Sequence, residues 1–363
     1  MYTITVDARV ITKEPSGLGK YLINILQRII PKKKWNFILL GNKKELMKYE
    51  FSLYHNVNVV HCNSKMYSVW EQFEIPMKIP RNSDLLWSPH FNIPIFCRGK
   101  LLVTVHDTFH LTQTQFLNNI LKRMYSKIIF AFLVNKANAI LCISKFSANE
   151  LEAHTNVKKN KIHVVYNGVD KSWFRIIPQK RPVEGPYILS VGNIKPHKNL
   201  KRLLYAFRMI MDKIPHKLVL VGKKTGFITG DETIFEMAKF YGDRVLFTGY
   251  ISDDLLRQYF VYADAFIFPS LYEGFGLPPL EAMACGCPVA VSSIAAMPEI
   301  CKDFATYFDP YDEKEMAEKL LYTIANKKNE FLEKCKIHAM GFDWDSCCKA
   351  IERIIEKMLK DGN

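Results

Sequence analysis

Among its 363 residues the chain has no apolar run near the ~18–20 positions a membrane span needs. "IIFAFLV" (Ile128–Val134) comes nearest and is far too short. The opening "MYTITVDARV" alternates like a strand and lacks the basic-then-apolar layout of a signal peptide. Zinc-type spacing is missing too: the nine cysteines are odd in number and scattered, and none forms a CxxC pair. Cys285/Cys287 and Cys347/Cys348 lack ligand partners at zinc-site spacing, so reduced cytoplasmic thiols and no metal are expected. There is no Walker motif, and "GLGKYL" lacks the third glycine of a dinucleotide fingerprint. Neither a short-period repeat nor a low-complexity tract occurs.

The composition present is that of a soluble globular protein, 48% hydrophobic and 24% charged, and too long for one ordinary core. The net charge of +14 is uneven: residues 1–170 carry 23 Lys/Arg against 11 Asp/Glu, leaving only +2 for the remainder. A basic first half implies an anionic partner for that half, with generally solvated lysines as the alternative. Nucleic acid, which would need basic and aromatic residues interleaved on one face, is not expected as that partner.

Apolar strands alternate with helix-like segments from end to end. "YTITVDARV", "WNFILLG", "VNVVHC", "DLLWSP", "LLVTVHD", "NAILCIS" and "IHVVYNG" read as strands of the first half. After the Pro- and base-rich stretch 171–186, taken as a linker, "YILSVGN", "KLVLVG", "RVLFTG", "AFIFPS" and "PVAVSS" alternate with helices. This pattern predicts an α/β chain with two doubly wound, Rossmann-like domains, residues 1–170 and 187–344. Ligands on such sheets bind beyond the carboxyl ends of the strands, so the useful residues should follow each apolar run.

One stretch concentrates chemistry there: "FPSLYEGFGLPPLEAMACGCPVAV", Phe268 to Val291. A strand ends near Ser270, and a helix with proline at its first positions follows. Gly274 and Gly276 allow a sharp turn and close backbone approach, and free amides at a helix start favour an anion such as a diphosphate. Glu273 lies in the loop, and Glu281 is expected in the first helical turn. Two carboxylates beside an anion site suit a ligand that also offers hydroxyls. A nucleotide sugar offers both, hexose hydroxyls to Glu273 and ribose hydroxyls to Glu281. The plainer alternative is a capped helix with a solvated glutamate.

"EGFGLPPLE" resembles the E-x7-E signature of the retaining family 4 glycosyltransferases, whose fold is GT-B. The resemblance runs along nearly the whole chain. "SGLGKYLINIL", "VTVHDTFHL", "ISKFSANEL", "VVYNGVD", "VGNIKPHKNL" and "FDW" are similar to the family's motifs, in order. "WEQFEIP" and "SPHFNIPI" resemble segments of its polysaccharide-building, mannosyltransferase-like members.

This resemblance implies two domains facing each other across a cleft, with a last helix, 345–363, returning to the first domain. It implies a nucleotide-diphosphate sugar donor held by Lys198, Asn193, Glu273, Gly274, Phe275, Gly276 and Leu277. Gly17 and Gly19 would approach the diphosphate from the first domain, and Thr248, Gly249 and Glu281 would meet the nucleoside. His106 would lie by the transferred sugar, and Glu273 and Lys198 join it as the catalytic set. Many members carry Arg where this chain has Asn193, so phosphate stabilisation would rest more on Lys198, with Lys195 and His197 as further candidates.

The implied reaction is hexosyl transfer with retention, without metal or other cofactor, the fixed amides and Lys198 stabilising the departing diphosphate. The acceptor implied is a growing lipid-linked saccharide of cell-surface polysaccharide. The helix-like Phe116–Val134 carries Lys122, Arg123 and Lys127 among apolar residues, and "PKKK" (Pro31–Lys34) ends another helix. Such basic amphipathic surface reads as a dock on an anionic membrane, placing the protein peripherally on the inner face of the cytoplasmic membrane. A core helix with solvated lysines is the alternative. A non-catalytic nucleotide-sugar binder and a GT-B epimerase remain open as other functions.

Overall fold

The structure, a computed structural model, describes residues 1–116, 120–222 and 233–361. It divides into two compact units, Met1–Gly168 with Trp344–Asn363, and Val169–Asp343. In the first unit the strands are β1 (Thr3–Asp7), β2 (Asn36–Gly41), β3 (Val57–His61), β4 (Leu85–Ser88), β5 (Lys100–Val105), β6 (Ala139–Cys142) and β7 (Ile162–Val164). They form one sheet in the order β3-β2-β1-β4-β5-β6-β7. Every pairing is parallel. Such strands are covered on both faces, which is why β1 is buried throughout and β4 likewise.

The second unit repeats the plan with β8 (Tyr187–Val191), β9 (Lys217–Val221), β10 (Val245–Gly249), β11 (Ala265–Phe268), β12 (Val289–Ser292) and β13 (Thr306–Phe308). Their order is β10-β9-β8-β11-β12-β13, again all parallel. The edge strand β13 is absent from the sequence reading. The stretch 171–186 belongs to the second unit: Trp173 is buried there, edge-on to Phe260 at 5.9 Å.

Helices follow the apolar stripes. Gly17–Ile29 buries Tyr21, Leu22, Ile25, Leu26 and Ile29, one face at helical spacing. The final helix, Trp344–Lys360, belongs to the first unit and buries Trp344, Cys347, Cys348, Ile351 and Ile355. A Cβ on Gly168 would overlap the backbone of Trp344, so the helix start is seated directly on that glycine. Among the described residues no helix is long and apolar enough to cross a membrane. Of the segment 116–134, residues 117–119 lie outside the described residues, and the helix runs Ile120–Lys136.

Candidate active site

In the second unit, β8 lies between β9 and β11, so the connections leaving β8 and β11 diverge and open a crevice at their carboxyl ends. Both carry the residues singled out by the sequence. After β8 come Gly192, Asn193 and a short 3-10 turn, Pro196–Lys198, that feeds the helix Leu200–Ile210. Asn199 makes the junction in the left-handed region (φ 60°), where Asn is tolerated. Its amide donates to the carbonyls of Pro269, 3.1 Å, and Pro310, 2.7 Å, pinning the β8 loop to the end of β11. The Leu271 amide donates to the His197 carbonyl at 2.8 Å, a second tie between the two loops.

This bracing brings Lys198 and Glu273 together: the lysine Nζ donates to the Glu273 Oε1, and both side chains remain partly exposed. The ammonium also lies 5.0 Å from the centroid of the Phe268 ring. Lys198, Gly192, Gly222, Phe268 and Ser270 line one open depression. Among the described residues the buried Ser270 hydroxyl there has no hydrogen-bond partner, a residue the sequence reading passed over as a strand end. Gly222 was missed too; a Cβ on it would overlap the Gly192 carbonyl oxygen, so only glycine lets these strand ends approach. The Gly192 amide donates to Val221 O at 2.8 Å and the Gly222 amide to Gly249 O at 3.1 Å. Thr248 and Gly249 thus join the same edge of the sheet, with the Thr248 hydroxyl on the Gly249 carbonyl at 2.9 Å.

The turn Gly274–Gly276 is buried, and Gly276, with φ 97°, precedes the helix Leu277–Ala284. A left-handed residue with no room beside Met297 must be glycine there. Phe275 contributes its backbone to the turn, because its ring is buried edge-on to Phe342 at 5.8 Å. Leu277 opens the helix half-exposed. Glu281 is a correction: it lies in the second helical turn, since the helix starts at Leu277 and its first turn holds no acidic residue. Its side chain is half-buried.

In the first unit His106 follows β5. Its Nε2–H donates to the Pro89 carbonyl at 2.9 Å, and its ring meets Tyr21 edge-on at 4.6 Å. Burial lowers its pKa to about 4 against the opposing pull of that carbonyl, so the imidazole is neutral at physiological pH, with the proton on Nε2. The neighbouring Asp107 carboxylate accepts the Phe109 amide at 3.0 Å, a turn cap. Gly17 and Gly19 lie in the first turn of the helix Gly17–Ile29. A Cβ on Gly19 would come within 2.7 Å of both Pro15 and the Val10 carbonyl, whereas Gly17 has open space beside it.

The two segments "WEQFEIP" and "SPHFNIPI" build a buried polar network at the carboxyl ends of β1 and β4. Arg9 clamps Asp7 through Nε (2.8 Å) and Nη2 (2.7 Å) and reaches Glu71 at 2.7 Å. His90 Nε2 lies 3.1 Å from Asp7 Oδ2, and Asn92 donates to Glu71 at 2.5 Å. Burial alone would raise the Asp7 pKa, but Arg9 and then His90 hold it well below the carboxylate range. For Glu71 burial wins over Arg9, and the pKa is raised. Bonded partners in this network stand 2 to 83 residues apart along the chain, so no local pattern signals it.

A family model for glycosyl transferases group 1 matches residues 173–340, and one for Glycosyltransferase Family 4 matches residues 81–173. Over 250 residues the chain is 30% identical to the O-antigen chain mannosyltransferase RfbU of Salmonella typhimurium, covering 69% of this chain and 67% of that protein. The chain belongs to the group 1, family 4 glycosyltransferases. A further relative of this glycosyltransferase is the serotype-specific mannosyltransferase WbdA of Escherichia coli, 29% identical over 225 residues, or 58% of this chain and 27% of that longer one. Among solved structures, a sucrose-phosphate synthase from Thermosynechococcus elongatus aligns over 100% of both chains with a TM-score of 0.79 at 17% identity. That likeness concerns the fold, which is GT-B, with two Rossmann-like parallel-sheet units.

Proposed function

We propose that this glycosyltransferase moves a hexosyl group, mannose, from a nucleotide-diphosphate sugar to a lipid-linked saccharide during cell-surface polysaccharide assembly. The observation that carries the donor site is the convergence of Lys198 and Glu273 at the strand switch of the second sheet. A cation and a hydroxyl acceptor held side by side suit a diphosphate joined to a sugar. Glu281 takes the ribose hydroxyls, and backbone groups at Thr248 and Gly249 face the base. The names of the relatives, O-antigen and serotype-specific mannosyltransferases, support the choice of sugar and pathway class.

In this reading the leaving diphosphate is stabilised by Lys198 and by amides of the Gly274–Gly276 turn, which are fixed before the reaction and need no reorganisation. No metal is assigned to that role. His106, neutral through burial, is assigned to the transferred sugar as a hydrogen-bonding group rather than a charge. Configuration is retained at the anomeric carbon. The enzyme works at the inner face of the cytoplasmic membrane, where a lipid-linked acceptor is presented.

Thermal melts with GDP, UDP, dTDP and ADP, without added metal, test the donor site in wild type and Glu281→Ala. A ligand at ~100 times its Kd adds about 2.7 kcal/mol. A preference for GDP, weakened in the variant, is the expected result. Stabilisation by none of the four would refute the assignment of this crevice.

A further inference from the structure

The short helix Glu71–Lys78 has its polarity reversed. It buries Glu71, Gln72, Glu74 and Ile75, while Phe73 and Met77, with Trp70 at the capping position, are exposed. Trp70, Phe73 and Met77 stand 3 and 4 residues apart and so share one outer face. A surface helix normally does the opposite, and a buried polar side with an exposed apolar one calls for a reason.

The inner side is held by specific bonds. Glu71 accepts from Arg9 Nη1 at 2.7 Å and from the Asn92 amide at 2.5 Å. The Gln72 side chain donates to the Ile93 carbonyl at 3.3 Å and accepts the Ile95 N–H at 2.7 Å. Glu74 accepts the backbone N–H groups of Asn63 at 2.9 Å and Ser64 at 2.6 Å. Rolling the helix to hide its rings would strand two buried carboxylates, so the aromatic side is fixed outward before any ligand arrives. On the adjoining loop Lys136 Nζ donates to the carbonyls of Ile95 and Cys97, which brackets the exposed Phe96. The Phe96 ring lies 5.6 Å from Phe73 at a tilt of 31°, and Phe73 lies 6.3 Å from Trp70 at 38°. At these shallow angles the three rings form one gently curved row.

The row itself is uncharged, and Lys78, the one cation of the helix, is bonded to Glu74 and to the His61 carbonyl. Such a row suits a neutral ligand with flat apolar faces and a polar rim. A pyranose is that kind of ligand: its C–H groups lie against an aromatic ring while its hydroxyls stay in water. We infer that Trp70, Phe73 and Phe96 form a binding site for a neutral oligosaccharide, holding sugars of the acceptor chain remote from the one that reacts. The inference rests on the reading above, in which the acceptor is a growing saccharide. Position agrees with it, because the helix follows β3 and the Phe96 loop follows β4, at the same carboxyl ends of the parallel sheet that carry His106 after β5.

Trp70 is 58% exposed while the other four tryptophans are buried, so its fluorescence reports on the row. Full-length protein is titrated with mannose, mannotetraose and maltotetraose, followed by fluorescence and by calorimetry. Expected are a saturable fluorescence change with a tetrasaccharide and much weaker binding of the monosaccharide. Phe73→Ser/Phe96→Ser should weaken tetrasaccharide binding roughly tenfold or more. Trp70→Phe, which keeps a ring, should lose the fluorescence change but retain most of the binding by calorimetry. The melt of the double variant, with and without GDP, should match wild type, since both rings are exposed. The site is overturned if wild type binds neither tetrasaccharide, or if the double variant binds them as wild type does. It is equally overturned if what the double variant loses is self-association or pelleting with phosphatidylglycerol vesicles instead. Intact nucleotide stabilisation alongside any of these outcomes leaves the donor site standing, whereas tetrasaccharide binding without nucleotide stabilisation refutes the donor site alone.

Discussion

Glu273→Gln should tighten binding of a nucleoside diphosphate while abolishing sugar transfer. Lys198 is already neutralised by Glu273, so an incoming diphosphate must share the ammonium with a carboxylate of its own sign. A unit charge about 6 Å from a phosphate charge costs about 2–3 kcal/mol at an effective dielectric constant of about 20. Both side chains are partly open to solvent, and discounting for water and salt leaves about 1 kcal/mol, or roughly fivefold in Kd. Gln keeps the size and one hydrogen-bonding oxygen but removes the charge. Lys198→Ala, by contrast, removes a charge-assisted bond of about 1.5–3 kcal/mol and should weaken binding roughly 10- to 100-fold. Titration calorimetry with GDP and UDP on both variants, at two salt concentrations, reads both numbers. The gain in Glu273→Gln should shrink as salt rises. Weaker binding of GDP by Glu273→Gln than by wild type would refute the reasoning, because the carboxylate would then be holding Lys198 in place rather than competing for it.

Two predictions concern the first unit. Arg9→Ala strands Asp7 and Glu71 as buried carboxylates without their cation and should cost about 3–5 kcal/mol in urea unfolding, with Arg9→Lys recovering only part; a loss under ~1 kcal/mol would show the network to be dispensable. His106 has a folded pKa of about 4 and an unfolded value near ~6.5, so between these the unfolded chain binds more protons. Its stabilising contribution is full above pH ~6.5 and is lost as pH falls through about 4, about 2–3 kcal/mol in all for this partly buried ring. The stability difference between wild type and His106→Gln should follow that slope, and parallel pH curves for the two proteins would sink the argument.

Strands of four to six residues were legible because burial on both faces writes them as continuous apolar runs, as in "LLVTV" and "AFIF". β13 and the helices Glu313–Ala325 and Asn329–Met340 escaped the reading for want of a motif. Lys198 and Glu273 could be named from local sequence because each follows its own strand. That they touch could not, since 75 residues separate them and the strand order decides the meeting. Glu281 was placed one turn early because the proline pair was read as opening the helix, whereas it starts at Leu277 with Gly276 as its cap. The helix Ile120–Lys136 was ambiguous for a different reason: apolar residues occur on both of its sides, and periodicity alone does not say which side faces solvent.

The first unit is not contiguous in the chain: its last helix is encoded after the whole of the second unit. On a ribosome adding about 5–20 residues per second, roughly 10–35 s pass between residue 168 and residue 344. Over that interval the second unit is being translated, while Tyr21 and Gly168 of the first still lack Trp344, which lies 6.0 Å from Tyr21. A nonsense codon at position 344 would therefore injure the amino-terminal unit and spare the one translated just before it.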